Sequence, residues 1–365
     1  MFFDASYAAE LQAYICFNIT QRGLDCETVE ATLGQLAFAM INERRLPAVT
    51  RKWAIEQIGD PVGSLDRKVL DTLLEDYKHA ELLEISGNAI SFANSETLCY
   101  FAAIRLKELG LKDKITPPVL LPVNPNSLFG KQVGKWEAAI MMLAALAPDA
   151  SQYLMEIAEI DPFLAAICIR NGAVKSPDAY QYVKDRLWSI TQEQKTIERR
   201  QAAAALYLIG DMSDYEAFQQ MLNTDRDFDM RITAANAVAK IGGAEAIPTL
   251  LEVFHRLTEA DVLDSATARH QLCWAIASLG EQAVLPLLEA LLDETDFLKR
   301  FDLLVGLMKA ADPDAKSSPD LLTALGKPDA LYKGYAAETL ATTLKQIAVP
   351  EALDRYEEWR KKPVS

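Results

Sequence analysis

Apolar positions in this chain recur at helical spacing over most of its length, with one short interruption of a different period. Over residues 27–43, Leu33, Leu36, Ala37 and Met40 fall on one helical face. Thr50 is placed to cap a second helix over 51–58, which Gly59-Asp60-Pro61 ends. A third helix, 65–79, aligns Val69, Leu70, Leu73 and Leu74. The period then changes. Residues 82–92, arranged around Gly87-Asn88, read as two short strands joined by a tight turn. A helix resumes near Ser95 and ends at Gly110. Pro117, Pro118, Pro122 and Pro125, with the turn-forming Asn124 and Asn126, forbid a continuous helix across 112–135 and mark a connector. From Trp136 onward the pattern is helical again. The expected division is a helical region with one hairpin (1–111), the connector (112–135) and a helical array (136–365).

Within the array a register repeats. Arg199, Arg231 and Arg269 are followed eleven residues later by Gly210, Gly242 and Gly280, and Arg300 begins a copy in which Ala311 replaces the glycine. Four residues after the arginines stand Ala203, Ala235, Cys273 and Leu304. Pro248 and Pro286 lie six residues past their glycines, a position suited to the first turn of a second helix. The arginines are roughly 31 to 38 residues apart, the period of stacked helical hairpins. One such hairpin cannot bury its apolar stripe alone, so neighbours must stack into a continuous core. The small Ala203 and Ala235 permit close approach of helices, and the glycines are expected to supply the positive φ that ends each first helix. Residues 351–362 are dense in charge, as a terminal cap should be.

The Arg-x3-Ala pattern, followed by a glycine and an Ala-x-Pro-x-Leu turn, resembles HEAT repeats of the short bacterial kind also found in phycobilisome lyases. The resemblance covers about 199–344 well and 135–198 more loosely. It implies an all-α fold, an α-α superhelix, and it specifies architecture rather than activity because unrelated functions share it. Residues 92–103 (Phe-Ala-Asn-Ser-Glu-Thr-Leu-Cys-Tyr-Phe-Ala-Ala) are similar to the end of the winged-helix region in NACHT-type STAND ATPases. The family pattern there is Phe-x-His, four residues, then Glu-Tyr-Phe-Ala-Ala. Residues 33–40 resemble that family's preceding helix and 82–92 its hairpin, and helices followed by one hairpin is the order of a winged-helix module. The family's phosphate-reaching histidine is Asn94 here, its glutamate is Cys99, and its nucleotide-binding domain has no counterpart in the sequence. The resemblance implies the C-terminal sensor portion of a STAND signalling or defence protein, or a relic that works without ATP, and it implies no ATPase activity in this chain.

Composition narrows the partners. The formal charge of −15 argues against a general phosphate-binding surface, so no nucleic acid is expected, and a partner steered by overall charge would be basic. Five scattered cysteines fit buried thiols in a reducing cytosol better than a disulfide framework. The N-terminal stretch has no basic region, and Asp4 and Glu10 break its apolar run, so it makes a poor signal peptide. The longest apolar stretch, 138–148, is too short for a membrane span. A cytoplasmic protein with no membrane partner is expected.

Catalytic chemistry finds no constellation. Over 130–136 the phosphate-loop pattern would need glycine and a hydroxyl residue where Phe129 and Trp136 stand. His79, His255 and His270 form no zinc-ligand spacing, and the absence of His-Glu dyads argues against the di-iron hydroxylases built on HEAT repeats. Asp312-Pro313-Asp314 fails as a calcium loop at Ser317 and Thr323, and Asp225, Asp227 and Asp229 are too compact for one. Both read as acidic helix starts. No catalytic residue, metal or cofactor is expected.

The arginine row has two readings: a ladder tying each turn to a neighbour's carboxylate or carbonyls, or an anion-binding edge. Asp227 and Asp296 stand four residues before Arg231 and Arg300. His255 and His270 are spaced to approach each other across neighbouring repeats. Trp274, beside Cys273 in a first helix, is expected in the core, whereas Trp359 in the charged tail offers a contact surface. The candidate protein-binding residues are Arg199, Arg231, Arg269, Arg300, His255, His270 and Trp359. The expected function is a non-catalytic scaffold or sensor whose concave face, built from second helices such as 247–257 and 283–292, holds a protein or peptide. The alternative implied by the repeat type is a bilin lyase or isomerase acting on a phycobiliprotein. Base excision by a HEAT-like DNA glycosylase would need a basic groove, which the acidic balance disfavours.

Overall fold

A computed structural model describes residues 4–58, 67–120, 133–257, 265–311, 335–346 and 349–361. The fold is all-α, of the α-α superhelix class, with one small antiparallel sheet among the described residues. The chain forms two compact units, Met1–Ile209 and Gly210–Ser365. This division differs from the one expected at 112–135, because the helix before the connector packs directly on the helix after it.

The first unit opens with α1 (Ala5–Gln21), which the apolar pattern did not announce; Asp4 caps it, accepting from the Tyr7 N–H at 2.7 Å. Next come α2 (Cys26–Asn42), β1 (Ala48–Thr50), α3 (Arg51–Ile58), α4 (Arg67–His79), β2 (Leu83–Ser86), β3 (Ala89–Phe92) and α5 (Ser95–Leu109). The Thr50 hydroxyl accepts from the Trp53 N–H at 3.3 Å, the expected cap. The sheet order is β1-β3-β2, both pairs antiparallel, with Ile90 opposite Val49 on one side and Ile85 on the other. Gly87, at φ +60, takes the first position of the two-residue turn, where a side chain would be strained. Arg51 fixes α3 on α4 through Asp71 (2.8 Å) and Glu75 (2.9 Å). The hydrogen bond from Arg51 holds the Glu75 carboxyl below its ordinary range. Its contribution to stability is therefore present above the unfolded carboxylate pKa and is lost as pH falls through the lowered folded value. Arg51→Met is expected to return the Glu75 titration, followed by carboxyl NMR, toward the ordinary value; an unmoved midpoint would show that Arg51 is not the cause.

The remainder of this unit is helical: α6 (Glu137–Leu146), α7 (Ser151–Ile160), α8 (Pro162–Arg170), α9 (Pro177–Thr191) and α10 (Thr196–Ile209). Pro162 and Pro177 occupy first turns, with Asp161 and Ser176 as side-chain caps.

The second unit stacks α11 (Tyr215–Thr224), α12 (Phe228–Gly242), α13 (Ile247–Arg256), α14 (Ser265–Ala277), α15 (Glu281–Asp293), α16 (Phe297–Ala311), α17 (Tyr335–Gln346) and α18 (Pro350–Arg360). Three details of the register differ from expectation, the first being that Gly210 does not take a positive φ. Gly280 has φ +61, but at the corresponding turn Gly243 takes φ +55 while Gly242 stays helical at −85. Gly242 is needed for space, since a Cβ there would lie 2.6 Å from the Tyr215 ring. Pro248 sits in the first turn of α13, after a 3₁₀ turn over Gly243–Ala246. Pro286 instead falls inside α15, because that helix starts directly after Gly280.

Candidate functional site

Two of the four arginines in the row donate to backbone carbonyls. The Arg199 Nε donates to the Thr191 carbonyl at 2.7 Å, and the Arg231 Nε donates to the Leu222 carbonyl at 3.1 Å. Each guanidinium reaches back from a first helix to the last turn of the preceding helix, whose carbonyls lack intrahelical donors. Arg269 differs. It is 3% exposed, and its Nε donates to Asp302 Oδ2 on α16 at 3.1 Å. Arg300 is half-buried, with no side-chain partner among the described residues. Asp227 accepts from the backbone N–H groups of Asp229 and Met230, and Asp296 from that of Lys299, so both cap helices.

The two histidines face carboxylates rather than each other. His255 Nδ1 lies 3.2 Å from Glu294 Oε2, while the His255 carbonyl accepts from Lys299 Nζ at 2.8 Å. His270 Nδ1 lies 3.6 Å from Asp302 Oδ1. Asp302, with 8% of its side chain exposed, therefore stands between Arg269 and His270. This follows from α14 and α16 lying side by side in parallel, so that residues 32 to 35 apart meet. Gly306 permits the approach: a Cβ there would come within 3.0 Å of the Cys273 Cβ.

Trp274 is a correction to the core assignment. Leu272, Cys273, Ala275 and Ile276 are buried, whereas Trp274 points outward and is 39% exposed. Lys309 Nζ sits 4.2 Å from the centre of its ring, and the His270 ring centroid is 5.0 Å away. Trp359 is only half-buried surface, stacked on Tyr356 at 6.3 Å. Neither Asp302 nor Lys309 was singled out from the sequence, although a period near 33 residues places them opposite Arg269 and Trp274.

Residues 92–103 form core. Phe92, Leu98, Cys99, Tyr100, Phe101, Ala102 and Ala103 are buried, with Phe101 5.9 Å from Phe92 and 5.2 Å from Tyr100, centre to centre. The Tyr100 hydroxyl donates to Glu30 at 2.7 Å. Burial, then the nearby Glu96 charge, pushes the Cys99 thiol up to about 12, so it stays protonated and is no nucleophile at neutral pH. Asn94 caps α5, its Oδ1 accepting from the Thr97 N–H at 2.7 Å. Asn94→Ala is expected to cost about 1 kcal/mol in urea unfolding while Asn94→Asp retains the cap; equal losses in both would remove the capping role.

Trp136 is 2% exposed and packs 4.9 Å from the Phe38 ring, which places it in the core; residues 121–132 and 312–334 lie outside the described residues, and with them residues 130–132 of the loop-like stretch and Asp312–Asp314. Among the described residues no three His, Cys, Asp or Glu side chains converge to hold a metal, and no helix is long and apolar enough to cross a membrane.

Comparison with known proteins agrees with this geometry. Residues 185–268 match the family model for HEAT repeats. The chain carries HEAT repeats. Arg199 and Arg231, with their carbonyl contacts, fall inside the matched span, and the HEAT register continues to Arg269 one residue beyond it. The chain is also similar to deoxyhypusine hydroxylase of Danio rerio, 30% identical over 76 residues. That match covers 21% of this chain and 23% of the relative, under a quarter of its length. No solved structure matches the chain.

Proposed function

We propose that this HEAT-repeat protein is a non-catalytic recognition module, the winged-helix and HEAT sensor portion of a STAND-type (NACHT) signalling or defence system. Its second helices hold a protein or peptide. The observation that carries this reading is the element order α2-β1-α3-α4-β2-β3 with the sheet arranged β1-β3-β2, the order of a winged helix, set ahead of HEAT hairpins. The non-catalytic part is supported by Asn94 and Cys99, which serve a cap and a core where the resembling family keeps a phosphate-reaching histidine and a glutamate. HEAT surfaces commonly bind proteins, and the exposed Glu252, Glu289 and Asp293 give the second helices a polar, charged face. The hydroxylase similar to this chain shares too little of its length for its activity to be carried over.

The test uses the full-length protein, immobilised, against lysate of its own source. A saturable partner is expected, and reversing Glu252, Glu289 and Asp293 to lysine is expected to abolish its capture. Capture of nothing above background, or capture indifferent to the three reversals, would sink the proposal.

A further inference from the structure

The second unit separates its charge by face. The first helices α12, α14 and α16 contain six lysines and arginines against two carboxylates. The second helices α11, α13 and α15 contain five carboxylates against Arg256 alone. On α14 and α16 the separation is complete at the surface. Their single carboxylate, Asp302, is buried beneath Arg269 and His270, so solvent meets no negative side chain there. Toward the C-terminal ends of these two helices lies Trp274, exposed and roofed by the Lys309 ammonium. Leu298, 45% exposed, is on the same stripe of α16 as Lys309, eleven residues or three turns away. A large exposed aromatic ring, an exposed leucine and a cation with no competing carboxylate among the described residues form a recognition patch. Such a patch matches an apolar anchor flanked by negative charge.

We infer that the α14–α16 face is a docking surface for an acidic segment of a partner protein, which sets an apolar or aromatic side chain against Trp274 and a carboxylate against Lys309. The inference rests on the reading of the protein as a recognition module, but it places a site on the first helices, distinct from the second-helix face. The chain as a whole is strongly acidic, so a basic partner would be drawn elsewhere, while this face favours a negative one locally. A nucleic acid fits less well, because one lysine beside a tryptophan does not provide the row of phosphate contacts such binding requires.

The experiment is fluorescence anisotropy with the full-length protein and a labelled peptide rich in Asp and Glu around a central Phe. Control probes are the same peptide with lysines for the acids, the acidic peptide with Ala for Phe, and a single-stranded oligonucleotide. The acidic Phe peptide is expected to bind best, more weakly as salt screens the charges. Trp274→Ala is expected to weaken it about tenfold. Lys309→Glu should weaken it, whereas Lys309→Arg should preserve it. Because Trp274→Ala also removes packing, the fluorotryptophan resonance assigned by its loss in Trp274→Phe is followed by fluorine NMR and is expected to shift on titration. A basic probe or oligonucleotide that binds as tightly overturns the inference, as does an unmoved Trp274 resonance. Self-association abolished by Lys309→Glu, without peptide binding, would assign the face to a second copy instead. If acidic probes fail while a lysate partner is still lost on the second-helix reversals, this face is wrong and the recognition reading survives. If the acidic probe binds and no second-helix partner exists, this face stands and only the assignment of binding to the second helices falls.

Discussion

Asp302→Ala is expected to lower the unfolding free energy of the second unit by about 3–5 kcal/mol, because it leaves the Arg269 guanidinium buried without its carboxylate. Arg269 is 3% exposed, and the Asp302 side chain 8%, so water cannot replace the lost partner without opening the α14–α16 contact. The same substitution removes the carboxylate 3.6 Å from the His270 Nδ1. The double variant Arg269→Met/Asp302→Leu is expected to recover most of the loss, since removing both charges also removes their desolvation cost. Urea unfolding with hydrogen exchange resolved to α14 and α16 measures both. A loss under about 1 kcal/mol for Asp302→Ala would mean that the pair is hydrated and the helices are less tightly joined.

The second large effect belongs to the first unit. Phe101→Ala is expected to cost about 3–5 kcal/mol, the penalty for removing a fully buried phenyl ring and leaving a cavity. The ring has Phe92 and Tyr100 as neighbours, and its backbone carbonyl lies against Gly34 of α2, where an added Cβ would come within 3.3 Å. There is little slack to close the void. Phe101→Leu should cost less, because much of the volume remains. Exchange protection of α2 and α5 that is unchanged in Phe101→Ala would show that residues 92–103 are not the core of this unit.

These two positions differ in how far they could be read in advance. Phe101 belongs to a stretch with its own local signature, a strand end followed by an apolar helix start, and both formed as expected, while the Asn94 cap came from the structure. Helices α2 to α5 and the β2-β3 hairpin were legible for the same reason: period and capping are encoded within a few neighbouring residues. Strand β1 was not, because three residues carry no period and only pairing with β3 makes them a strand. Helix α1 was passed over, although Asp4 caps it and its amphipathic contrast is no weaker than that of α5. Asp302 looked like one acidic residue among many.

By itself, the sequence determined that the chain stacks helical hairpins and that an arginine recurs near the start of each first helix; the structure is what gave Arg199 and Arg231 to the carbonyls of the preceding helices. Those features repeat at a spacing that only hairpin stacking satisfies. The tertiary structure alone decided the offset between α14 and α16. That offset set Asp302 under Arg269 and His270, turned Trp274 outward and brought Lys309 over it. It also decided where the charge goes. A net charge of −15 describes the chain, whereas the sign a partner meets depends on which helix faces it. Local periodicity fixes which side of a helix is apolar, but the neighbour across that side, and hence the site, is set by packing.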